Sequence, residues 1–155
     1  MSNTTDSQSQ ELTLQVSRVI PAPIEKVFNA WLDPKFLAKF MLPAAGMSAP
    51  KVTADAREGG SFSIIMQVGD KQLPHGGNYQ KIAPHHCIIF TWESAHSIDG
   101  SVVTLNFSTT DQGTLVELIQ VKFYDEEAKS AHEGGWDSIL LHLGLLFNPN
   151  KKGND

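Results

Sequence analysis

Apolar residues along this chain recur at two different spacings, and the points where the spacing changes mark its elements. Leu12, Leu14 and Val16, followed after Ser17-Arg18 by Val19-Ile20, alternate well enough to predict a first strand, which Pro21-Ala22-Pro23 stops. Pro23 suits the first turn of a helix. Ile24, Val27, Phe28, Trp31 and Leu32 then follow helical spacing until Asp33-Pro34 ends the segment. Pro34 starts a second short helix with Phe36, Leu37 and Phe40 on its apolar side. Residues 41–50 keep neither period, have prolines near both ends, and read as a loop rich in apolar residues such as Met41, Leu42 and Met47. Such a loop is expected to be mobile and to border a cavity mouth.

From residue 51 the period shortens to two. Strands are expected over 52–55, 61–68, 77–83, 87–93, 101–109 and 114–124. Gly59-Gly60, Gly69-Asp70, Asp99-Gly100 and Asp111-Gln112-Gly113 join them, since glycine supplies positive φ at little steric cost. The period lengthens again over residues 126–147, where Trp136, Ile139, Leu140, Leu143, Leu146 and Phe147 line one face of a long helix. Gly134-Gly135 stand just before that stripe, and each glycine costs a helix roughly 1 kcal/mol against alanine. The pair therefore predicts a kink or a close backbone approach where the helix begins to cover a sheet. Together these elements predict one α+β domain over residues 12–147, with a disordered amino-terminal tail at 1–11 and a frayed tail at 148–155.

Composition narrows the function classes. The 155 residues suffice for one core. A net charge of -5 and no basic cluster beyond Lys151-Lys152 exclude a phosphate-backbone footprint, so no nucleic acid is expected. No apolar run reaches the length of a membrane span, and the polar start lacks the apolar core of a signal peptide, so a cytoplasmic location is expected. Cys87 is the only cysteine, which rules out an internal disulfide and a thiolate-rich zinc site, and it reads as a buried strand thiol.

Several motifs in order carry a resemblance. The segment from Pro23 through Ile24-Glu25-Lys26-Val27-Phe28-Asn29-Ala30-Trp31-Leu32 to Asp33-Pro34 resembles the first helix of the START-like (SRPBCC, Bet v 1-like) superfamily. Asp55-Ala56-Arg57-Glu58-Gly59-Gly60-Ser61-Phe62, Gly77-Asn78-Tyr79, Phe90-Thr91-Trp92-Glu93 and Gly134-Gly135-Trp136 resemble its activator-of-Hsp90-ATPase-homologue branch. The resemblance implies a helix-grip fold, a curved antiparallel sheet of six to seven strands wrapped around the long carboxy-terminal helix, with two short helices after the first strand. It also implies an apolar cavity between sheet and helix for a small hydrophobic molecule. A chaperone partner is not implied for this chain. The co-chaperone of that branch uses a further amino-terminal domain, and only about ten polar residues precede the first strand here.

Candidate chemistry is sparse. His85 and His86 are adjacent at a strand start and should diverge, while His75, His96, His132 and His142 are scattered without metal-ligand spacing, so neither metal nor cofactor is expected. Ser138 and His142 lie four apart on the closing helix and read as surface. Asp55 and Arg57 read as a solvated pair shaping a hairpin. Glu93 and Glu117 sit in strands among apolar neighbours, where an inward carboxyl would have a raised pKa; both are expected to face solvent.

Alternation puts Phe62, Ile64 and Met66 on one face, Ile88, Phe90 and Trp92 on one face, and Val103, Leu105 and Phe107 opposite Thr104 and Asn106. Met66, Tyr79, Trp92, Asn106, Trp136 and Leu140 are the expected cavity residues, aromatic walls with a few polar handles. The first reading is a non-catalytic domain that binds a small apolar molecule. A polyketide cyclase- or dehydratase-like enzyme using Glu93, Glu117 or His96, and a chaperone-interacting protein, stay open beside it. Strands apolar on both faces leave room for the two short helices, or a partner in a symmetric homodimer, on the second face.

Overall fold

A computed structural model of the chain describes residues 12–44, 46–94 and 100–147. The expected tails at 1–11 and 148–155, and His96, lie outside the described residues. Among the described residues there are eight strands: β1 Thr13–Ile20, β2 Met47–Ala54, β3 Ser61–Val68, β4 Lys71–Ala83, β5 Cys87–Thr91, β6 Glu93–Ser94, β7 Val102–Thr110 and β8 Gly113–Val121. They form one antiparallel sheet in the order β1-β8-β7-β5-β4-β3-β2, with the two-residue β6 paired to β4. Helices α1 Ile24–Ala30 and α2 Pro34–Phe40 carry the chain from β1 at one edge to β2 at the other. Helix α3, Glu126–Phe147, closes the domain as the expected helix-grip fold requires.

Local chemistry explains the helix starts. The Asp33 side chain accepts a hydrogen bond from the Lys35 amide at 2.9 Å with Pro34 at the first helical position, and Asp125 Oδ1 accepts from the Ala128 amide at 2.8 Å. Each satisfies an amide that the helix itself leaves unpaired. The inward stripe of α3 is Trp136, Ile139, Leu140 and Leu143.

Four local expectations need correction. Residues 47–50 are strand, not loop: β2 begins at Met47 and is broken only by a register shift between Ser48 and Lys51. Strand β4 begins at Lys71 rather than at residue 77, because the Gly69-Asp70 turn is a tight hairpin and pairs Met66 with Leu73 and Ile64 with His75, in spite of Pro74 and Gly76-Gly77. Cys87 is half-buried rather than buried. The glycine pair stands eight residues inside α3, and the two glycines differ. A Cβ on Gly135 would come to 3.1 Å from Pro43 Cβ, whereas one on Gly134 meets nothing within 4 Å. Close approach therefore explains Gly135 alone. Gly134→Ala should raise stability by about 1 kcal/mol, read as a higher urea midpoint, and no gain would mean that the helix is not formed there in solution.

The two short helices do not cover the second face of the sheet. Phe28 of α1 packs edge-on against inward Phe107 at 5.2 Å, so α1 lies on the same concave side as α3. Val102, Leu115 and Ile119 on the convex side are half-buried.

Candidate functional site

Inward residues of the sheet pack against α3 over most of its length, with Leu105, Leu118, Leu140 and Leu143 fully buried. Nearer the start of α3 the packing stays open, and a cavity of about 180 Å³ remains. Met66 of β3, His75 of β4 and Trp92, between β5 and β6, form its sheet wall. His132, Gly135, Trp136 and Ile139 of α3 form the helix wall, and Pro43 contributes from the segment after α2. A 150 Å³ engineered apolar cavity is known to accept benzene, so this space admits a substituted aromatic ring.

The aromatic walls touch. Trp92 and Trp136 have ring centroids 4.9 Å apart, and His75 lies 5.2 Å from Trp92 at a shallow 35° angle. Trp136 is held by a buried polar chain. Its Nε1–H donates to Gln120 Oε1 at 2.6 Å, Gln120 Nε2 donates to Ser101 Oγ at 2.8 Å, and Ser101 Oγ donates to the Val121 carbonyl at 2.9 Å. Gln120 and Ser101 are buried, so the network fixes the indole without leaving its own polar atoms bare.

The segment after α2 is tied to the same helix. Ser138 Oγ donates to the Leu42 carbonyl at 2.9 Å, one turn from the point where Pro43 fits against Gly135. Ser138 is thus a half-buried latch rather than a surface residue. His142 contacts the Ser138 carbonyl through Nδ1 at 2.8 Å, a bond within its own helix, so the two side chains do not form a catalytic pair.

A second void of about 10 Å³, near the size of one water, is lined by Trp31, Met41, Tyr79 and Phe90, and Trp92 is a wall of both spaces. Trp31 Nε1–H is buried with no hydrogen-bond partner among the described residues. Burial, aided by the nearby Asp55 carboxylate, pushes the Tyr79 phenol up to about 12, so it stays a neutral hydroxyl. The motif from Asp55 to Gly60 bears on this strand. Gly59 and Gly60 exchange backbone hydrogen bonds with Tyr79, and the Glu58 carboxylate accepts from the Ile82 amide at 3.0 Å beside the β4 register shift. Asp55 and Arg57 form an exposed ion pair at 2.9 Å.

Of the six residues expected around a ligand, Met66, Trp92 and Trp136 meet at the larger cavity. Tyr79 lies at the smaller one, and Leu140 is fully buried and lines neither. Asn106 is on the convex face, opposite Glu117 in the β7–β8 register and Cys87 in the β5–β7 register, because the pleat that turns Leu105 and Phe107 inward turns Asn106 outward. Glu117 is half-exposed beside it, and Glu93 is exposed and accepts from Thr91 Oγ1 at 3.2 Å. Among the described residues no carboxylate lines either cavity.

Sequence reasoning missed His75, His132 and Gln120. Counting back by two from Tyr79 along the true β4 reaches His75, one turn before Trp136 on α3 is His132, and Gln120 continues the inward row of Val116 and Leu118.

The fold is shared with solved structures. A protein of Chromobacterium violaceum superimposes with a TM-score of 0.73 at 26% identity, covering 88% of this chain and 97% of that one. A protein of Nitrosomonas europaea gives a TM-score of 0.74 at 21% identity, with 91% and 97% covered. An AHSA1-like protein of Aeromonas hydrophila gives 0.73 at 19% identity, with 85% and 92% covered. No curated protein matches the chain. A family model described as activator of Hsp90 ATPase homolog 1-like protein matches residues 21–148, which includes both short helices, nearly all of the sheet and the whole of α3. The chain therefore belongs to the activator of Hsp90 ATPase homolog 1-like family, with the helix-grip fold of the START-like superfamily.

Proposed function

We propose that this domain binds a small, flat, apolar molecule in the cavity between α3 and the sheet and releases it chemically unchanged. The observation that carries the reading is the contact of Trp92 and Trp136 beside an apolar space of about 180 Å³. Two indoles at an angle offer a ring broad apolar surface with little side-chain entropy left to lose, since both are already packed. The cyclase or dehydratase reading needs a proton-transfer group at the ligand. Glu93 and Glu117 lie off the cavity, which leaves imidazoles as its titratable groups among the described residues.

Calorimetric titration with 2-methoxynaphthalene tests the reading. The wild-type chain should bind one equivalent saturably. Gly135→Leu, which puts a helix former on α3 and places a branched side chain against Pro43 at the cavity, should bind at least about tenfold more weakly, a loss of roughly 1.4 kcal/mol. Absence of saturable heat with the wild type, or equal binding by a folded Gly135→Leu chain, would overturn it.

A further inference from the structure

The larger cavity is mostly apolar, its polar lining among the described residues being His75 and Ser94 on the sheet wall and His132 on the helix wall, and the chemistry of the His132 end restricts what it can hold. His132 lies one helical turn before Trp136, lines the same space and packs its ring 5.3 Å from that of Phe123. Its Nδ1 sits 2.8 Å from the Ala128 carbonyl oxygen of the preceding turn. A carbonyl oxygen only accepts, so Nδ1 carries the proton, and in the neutral ring Nε2 is then a lone-pair acceptor. That atom is on the side of the ring away from the bond to its own helix. His75 on the opposite wall has its Nδ1 2.9 Å from the Leu73 carbonyl oxygen, and its ring lies tilted against Trp92.

We infer that His132 Nε2 accepts a hydrogen bond from the ligand, and that the cavity selects small aromatic molecules bearing a hydroxyl, of the phenol or naphthol class, over the same ring systems without a donor. The inference rests on the ligand-binding reading above and adds the polar group that orients the ring between Trp92 and Trp136. A hydroxyl fits this end for two reasons. Its proton meets an acceptor whose tautomer is already set by the helix, and its small size suits a space that admits little beyond a substituted ring. A donor-free ether would leave Nε2 facing an apolar group and would lose that bond.

The test compares 2-naphthol with 2-methoxynaphthalene by calorimetry at pH 8 on the wild type, His132→Phe and His132→Gln. The wild type should prefer 2-naphthol by roughly tenfold. His132→Phe, which keeps a ring against Phe123 but has no acceptor, should bring the ratio close to one. His132→Gln returns an acceptor near the position of Nε2 and should recover a preference of at least about threefold. Binding of neither compound would refute the ligand-binding reading itself. Equal binding of the two by the wild type, or an unchanged preference in His132→Phe, would refute only the role of His132. A third arm with 2-naphthoate separates hydroxyl recognition from capture of an anion by a charged imidazolium: tighter binding of the carboxylate than of 2-naphthol at pH 8 would overturn the assignment.

Discussion

Truncating Trp136 to alanine should lower the unfolding free energy by about 3–5 kcal/mol. Two separate losses add to this. The indole is 2% exposed and spans from the inward stripe of α3 to Trp92, so its removal takes most of a large apolar surface out of contact. It is also the hydrogen-bond partner of Gln120 Oε1, and a buried acceptor left without a donor costs roughly 1–3 kcal/mol more. The neighbouring space offsets part of the first loss, because the indole already borders a void on one side. Trp136→Phe separates the terms. It keeps an aromatic wall, strands Gln120, and should cost about 2 kcal/mol. Adding Gln120→Leu to Trp136→Phe should recover a good part of that cost, since it removes the stranded amide, whereas Gln120→Leu alone strands the indole N–H. Urea unfolding of the four chains measures the coupling. Additive effects of the two substitutions would mean that the 2.6 Å bond does not persist in solution.

Gly77→Ala should cost about 3 kcal/mol or more and should weaken ligand binding with it. Gly77 does not have a positive φ, so its backbone conformation does not call for glycine. The space does. A Cβ there would strike the Thr91 carbonyl oxygen and would stand 2.9 Å from Thr91 Oγ1. Thr91 has little freedom to retreat, because its Oγ1 accepts from the Asn78 amide at 2.9 Å and donates to the Glu93 carboxylate, and the next residue, Trp92, is tied through its amide to the Ser101 carbonyl at 3.0 Å. Any relief of the clash displaces Trp92, the wall shared by both cavities. Chemical denaturation reads the stability, and the 2-methoxynaphthalene titration reads the site. A Gly77→Ala chain of wild-type stability would show that β4 and β5 do not approach this closely.

Much of this architecture is legible in the residues. Period-two rows such as Phe62-Ile64-Met66 and Val103-Leu105-Phe107 identify the concave face because burial on one side of a pleat forces alternation, and those residues are buried. The long helix is legible for the same reason at the longer period. The start of β4 is not, since Pro74 and Gly76-Gly77 are poor strand formers and only pairing with β3 holds them extended. Asn106 shows the limit within the site: its strand is plain in the sequence, but the pleat that turns Leu105 and Phe107 inward turns Asn106 outward, so it is no cavity residue.

By itself, then, the sequence determined the order of elements and the apolar row of each central strand, because these depend on periodicity and on local turn and cap chemistry, while its ordered motifs carried the resemblance to the family and placed Met66, Trp92 and Trp136 among the candidates for one space. Tertiary structure decided that His75 and His132 line that space together, that Gln120 holds the indole of Trp136, and that Pro43 fits against Gly135 while Ser138 latches Leu42. These partners are joined by sheet curvature, by pairing across the β3–β4 hairpin and by the docking of α3. Contacts between residues so far apart in the chain are set by how whole elements pack, which no local spacing of residues encodes.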